Sequence, residues 1–235
     1  MKENRSVSRV LQVLELIAKH EEGITLGQIY RTLGIPKATA YDVLQTLHKH
    51  DAIYYKDPNL RNYVIGSKMF AIGSVYIKNS NFLQSVRTDL KEFANKYGRT
   101  VFGTKRIDEK VVYVYKYQPL QSHINTSQQE GSVIYELEDD PAGLAFLIFE
   151  DNNQVLKRKY NVTNNYLEMR QEGAINISSI ASPVYNIENK ICGVIVAADI
   201  MIEDQEKHKE MVKEFLSVAE NASRRLGFMG VYHHN

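Results

Sequence analysis

Lys37, Tyr41, Asp42, Gln45 and Lys49 carry the most legible chemistry in this 235-residue chain. At ~100° per residue they gather on one side of a helix. Ala38, Asp42, Gln45 and Lys49 form its outer face, with Lys37 and Tyr41 on one flank and Thr39 on the other. A carboxylate, an amide, a phenol and two ammonium groups in this pattern break no bond. They are the donors and acceptors that reach phosphates and base edges in a DNA groove.

Other reactive residue types lack the spacing that chemistry needs. Of seven histidines, His48 and His50 are two apart on a helix and point in different directions. His20 and His123 have no ligand-spaced neighbours, and His233 and His234 stand at the chain end. No metal and no cofactor is expected. Cys192 lies inside an apolar strand and is expected to be an inert thiol. No Gly-Xaa-Ser-Xaa-Gly turn and no Gly-rich phosphate loop occurs, so no catalytic residue is assigned. Tyr113, Tyr115 and Tyr117 alternate and are expected on one sheet face.

The elements that must hold the polar face come next. Ser6 is the expected cap of a helix with Val7, Val10, Leu11, Leu14, Ile17 and Ala18 inward, ended by Gly23. A short helix follows from Leu26 to Leu33, then Gly34-Ile35-Pro36, a left-handed exit and a new helix start. The third helix, about Pro36 to His50, buries Ala40, Val43, Leu44 and Leu47. Strands at 52–55 and 62–65 around the turn 57–61 complete a winged helix-turn-helix over residues 1–66. Arg61 near the hairpin tip, with Arg5 and Arg9 at the first helix, would meet phosphate.

Charge divides with the elements. Residues 1–79 hold 11 Lys and Arg against 7 Asp and Glu, and residues 80–235 hold 18 against 21, so +4 and −3 compose the overall +1. A basic third on an acidic remainder fits a nucleic-acid module joined to another domain. The first ten residues have no apolar signal core and no stretch reaches ~18 apolar residues. A soluble, cytoplasmic protein without a membrane partner is expected.

The runs 8–17, Leu33-Gly34-Ile35-Pro36-Lys37-Ala38-Thr39 and Asn62-Tyr63-Val64-Ile65-Gly66 together resemble the IclR (isocitrate lyase regulator) family of bacterial transcriptional regulators. Further along, 111–114, Pro141-Ala142-Gly143-Leu144-Ala145, 181–186 and 193–195 are similar to the effector half of that family. The resemblance implies an α+β protein: N-terminal winged helix-turn-helix, linker helix, C-terminal GAF-like effector domain. It also implies a double-stranded DNA operator, a small-molecule effector and a homodimer or dimer of dimers. Two departures stand out. The family's usual Ser-Thr pair and Arg in the recognition helix are here Ala38, Thr39 and Asp42. Two serines common on its last strand are here Val196 and Ala198.

The segment 67–79 is apolar on more than one face, so it needs cover, from a second copy or from its own chain. Beyond it, residues 80–235 read as helix, strands, helix, strands and a closing helix of about 203–226. Residues 161–170 read as helical. An effector is expected between the sheet and the helix capped by Asp140, whose free N–H groups suit an anion. Gly143, Leu144, Ser179, Ser182, Val196 and Ala198 are carried over from the matching motifs as its contacts. The resulting expectation is a DNA-binding repressor tuned by a metabolite. An effector-blind regulator whose second domain only oligomerises, and an enzyme with a regulatory N-terminal third, are the alternatives.

Overall fold

The computed structural model describes residues 4–78, 81–160, 162, 164–173 and 175–233, with the side chains of 75–78 left out. The charge boundary at Asn79-Ser80 and the terminal His234 lie outside the described residues. The chain divides into two compact units, Met1–Asn79 and Ser80–Asn235.

In the first unit, helix α1 spans Arg5–Ala18. Its cap is Asn4, not Ser6: the Asn4 side chain accepts from the N–H groups of Ser6 and Val7 at 3.1 and 3.4 Å. An Asn two residues earlier offers the same short acceptor and adds two residues of helix. A two-residue strand, β1 (Ile24–Thr25), precedes α2 (Leu26–Leu33). Thr25 and Gln28 close a capping box over the α2 start. Gly34 ends α2 at φ 62°, where a side chain would cost strain. Helix α3 covers Lys37–Lys49 and buries Ala40, Leu44 and Leu47.

Strands β2 (Ile53–Asp57) and β3 (Asn62–Ile65) form the wing. β3 also pairs with β1, Ile24 facing Tyr63, so the order is β1-β3-β2. Asn62 Nδ2 donates to the Glu22 carbonyl at 2.6 Å, and Lys56 pairs with the Glu22 carboxylate at 2.7 Å. Helix α4, Ser67–Lys78, follows. Met69 packs on the winged-helix core, whereas Phe70 and Ile72 are 76% and 60% exposed. Within the first unit the apolar face of α4 is therefore uncovered at these two positions.

The second unit is a six-stranded antiparallel sheet of order β6-β5-β4-β9-β8-β7 with a helical layer on each face. Helix α5 (Asn81–Tyr97) leads into β4 (Thr100–Ile107) and β5 (Lys110–Tyr117). After β6 (Val133–Ile134) and a 3-10 turn, α6 spans Pro141–Phe149 and α7 spans Gln154–Lys159. Strands β7 (Leu167–Gln171), β8 (Ile177–Tyr185) and β9 (Ile191–Ile200) and the closing helix α8 (Gln205–Arg225) complete the unit. Helices α5 and α8 cover one face and α6 and α7 the other. Among the described residues no helix is long and apolar enough to cross a membrane.

Two expectations fail here for reasons of pairing. Residues 167–171 are strand rather than helix, because Leu167–Gln171 find a full register of partners on β8 and pairing outweighs local propensity. The helix of this region, α7, lies earlier and is capped by Asn153. The three alternating tyrosines do not share a face. Gly103 faces Tyr115 and Thr104 faces Tyr113, which leaves Val114 as an extra residue. Tyr113 thus joins the α6 core while Val114 and Tyr115 both join the α5–α8 core.

The edge strand β7 is tied in by a polar cluster. Glu168 accepts from Ser178 Oγ at 2.8 Å and Arg170 at 3.0 Å, with His208 Nε2 of α8 at 3.4 Å. Burial raises the Glu168 carboxyl, but these partners outweigh it and hold the group at about 2.

Candidate nucleic-acid interface and ligand cavity

Helix α3 presents the expected polar face. Lys37, Ala38, Tyr41, Asp42, Gln45 and Lys49 are all exposed, and Thr39 is half-buried at its edge. Asp42 makes no ion pair with Lys49 or Arg31 among the described residues, so its carboxylate is open to an outside donor. The Thr46 hydroxyl turns back to the Asp42 carbonyl at 2.8 Å. At the last turn, the His48 ring lies 4.9 Å from Tyr55, which lies 4.8 Å from Tyr63. This row of rings fixes the wing against α3.

Cations frame the face on other elements of the same unit. Arg5 is exposed in the first turn of α1, and Arg9 is half-buried one turn on. Arg61 is exposed in the wing turn at φ 49°. Asp57 shapes that turn: its Oδ1 accepts from Asn59 N at 2.7 Å, and its carbonyl accepts from Arg61 N at 2.9 Å. Exposed Tyr54 and Leu60 on the wing, which periodicity does not single out, belong to the same surface.

In the second unit a cavity of about 250 Å³ opens between the sheet and the start of α6. Three of the six carried-over residues line it: Ser179, Val196 and Ala198. The other three do not. Leu144 is core. Gly143 packs on the 3-10 turn, where a Cβ would meet the Leu137 carbonyl oxygen at 2.5 Å. Ser182 lies on the opposite sheet face, as the two-residue period from Ser179 requires. Its hydroxyl is 2.6 Å from the Asn165 carbonyl and 2.7 Å from the Tyr232 phenol.

The N–H groups at the α6 start are not free for an anion. Asp140 Oδ1 accepts from Ala142 N and Gly143 N at 2.9 and 3.1 Å. Its Oδ2 accepts from the Tyr113 phenol at 2.7 Å. Burial pushes the Asp140 carboxyl above the usual range despite these three donors, and pushes the Tyr113 phenol far up. Asp139, Asp140 and Pro141 line the cavity at the α6 start, and the rest of the lining comes from Phe102, Tyr113, Gln171, Ile177 and the irregular run 124–128. Sequence periodicity does not reveal these residues. The signal for the run is its cluster of Asn, Thr, Ser and Gln between two strands.

The family model described as the IclR helix-turn-helix domain matches residues 6–57. Residues 6–57 therefore form an IclR-type helix-turn-helix domain. The chain's relatives include an HTH-type transcriptional regulator of Haemophilus influenzae, 21% identical over 97% of this chain and 95% of the relative. The Escherichia coli DNA-binding transcriptional repressor YiaJ is 20% identical, over 96% of this chain and 89% of its own length. Among solved structures, an IclR regulator from Alicyclobacillus acidocaldarius is similar with a TM-score of 0.74 and 24% identity, covering 96% of this chain and 100% of that one. An IclR homolog from Microbacterium hydrocarbonoxydans, complexed with 4-hydroxybenzoate, has a TM-score of 0.77 at 14% identity, over 94% of this chain and 98% of that one. The match gives the first unit a DNA-binding helix-turn-helix domain, with α3 as the second helix of the motif.

Proposed function

We propose that this protein is a cytoplasmic, homodimeric repressor whose operator affinity is set by a small molecule bound in the second unit. The observation that carries the reading is the exposed polar face of α3 inside an IclR helix-turn-helix domain. Arg5, Arg9, Lys37, Lys49 and Arg61 contact phosphates. Tyr41, Asp42 and Gln45 face base edges, with Ala38 and Thr39 at close approach, and Asp42 accepts from a cytosine amino group. The repressor sign follows YiaJ.

Segment 67–79 pairs with its copy through α4, which sets two recognition helices on half-sites about one turn, ~34 Å, apart. The effector occupies the cavity of Ser179, Val196 and Ala198; a neighbour of this fold holds 4-hydroxybenzoate. An effector that binds one arrangement of the dimer better shifts the spacing of the recognition helices, and with it DNA affinity.

The test is a salt-dependent gel shift on the DNA upstream of the protein's own gene, with unrelated duplex as competitor. Specific binding that falls steeply with salt is expected. Lys37→Ala weakens all sequences alike, whereas Gln45→Ala changes preference at one base position, by about 1–3 kcal/mol. Equal binding to operator and competitor by folded, dimeric protein would overturn the reading.

A further inference from the structure

We propose that the cavity beside α6 takes an uncharged, polyhydroxylated molecule of monosaccharide size and turns away carboxylates. This rests on the reading of that cavity as the effector site. Among the described residues no Lys, Arg or His lines it, while Asp139 and Asp140 both do. The place where an anion would sit, the α6 N-terminus, is filled by the protein's own Asp140 carboxylate. Asp139 is exposed and contributes a second negative charge at the same end.

Lys116, whose ammonium lies 5.8 Å from the centre of the Phe102 ring, is not one of the lining residues. It donates to Gln129 Oε1 at 3.1 Å, outside the lining. A ligand carboxylate would therefore meet like charge, with no counter-ion among the described lining residues.

Hydroxyl groups meet a matching surface. The amides of Asn125, Gln128 and Gln171 offer both donors and acceptors, Ser179 offers a hydroxyl, and Asp139 accepts. Phe102 and Tyr113, edge to face at 5.2 Å, supply an apolar wall for the C–H side of a sugar ring. About 250 Å³ lies just under the ~300–1,000 Å³ of drug-sized sites, which suits a single small ring or open chain.

The experiment is thermal shift and titration calorimetry on the full chain at pH 7.5. The panel holds neutral pentoses, hexoses and alditols, the aldonic and uronic acids of the same skeletons, 4-hydroxybenzoate, and small alkylamines. At least one neutral compound is expected to raise the midpoint saturably, and its matched acid to bind at least about tenfold more weakly. Asp139→Asn, a change at an exposed position, narrows that gap. Lys116→Gln leaves it unchanged.

Acids binding as well as or better than their neutral partners overturn the ligand class and leave the effector reading standing. So does binding confined to amines. Silence across the panel, from protein that still shifts its operator, overturns both.

Discussion

The phenol of Tyr113 donates to the buried Asp140 carboxylate at 2.7 Å, joining strand β5 to the cap of helix α6. One carboxylate thus closes the α6 start with one oxygen and anchors the sheet with the other. Burial and the facing Asp140 raise the phenol, which keeps it a donor, and the cost of burying the carboxylate shows as its own upward shift. Tyr113→Phe removes the donor and leaves that oxygen without it, so a loss of about 1.5–3 kcal/mol is expected in urea denaturation. A change below about 0.5 kcal/mol would mean that the contact adds little.

Glu168 gives a pH-dependent prediction. Its carboxyl is held at about 2 against an ordinary 4.5, so the stability it contributes is present above 4.5 and is lost as pH falls through 2. Glu168→Gln keeps an acceptor for Ser178 and removes the charge. Roughly 1–3 kcal/mol of destabilisation is expected at pH 7, shrinking as pH is lowered to 3.5. A penalty independent of pH would show that the charge is not what matters.

The uncovered face of α4 bears on assembly. Phe70 and Ile72 touch little of the first unit, so Phe70→Ser with Ile72→Ser should leave its denaturation midpoint nearly unchanged. If these side chains are central to the pairing, each is worth about 2 kcal/mol or more there, and self-association weakens by at least about thirtyfold. Light scattering at micromolar concentration would then show mass near the 27.0 kDa of one chain. Unaltered association by the double variant would move the interface elsewhere.

Local signals carried much of this architecture. The α2 and α3 spans follow from Leu26, Ile29 and Leu33 on one side of Gly34 and from Ala40, Leu44 and Leu47 beyond Pro36. Asp140 and Pro141 mark the α6 start as cap and first residue. What escaped was decided by partners distant in the chain. β1 is two residues long and exists through Tyr63 and Asn62. Strand β7 exists through β8, and the Val114 bulge through the register with β4. The same bulge moved Tyr113 into the cavity wall. The run 124–128 has no periodicity to read, so its lining role appears only when the sheet beneath it is formed. Ser182 was misplaced because a motif carried over as a string does not say which alternate residues face which layer.

Strand β1 belongs to the connection between α1 and α2, yet it is sewn into the wing by β3, by Asn62 on the Glu22 carbonyl and by Lys56 on Glu22. The hairpin is therefore no loose finger. It is fastened at its base to the segment that joins α1 and α2. If Arg61 holds phosphate as proposed, its position is therefore set from the α1–α2 connection as well as from the hairpin itself.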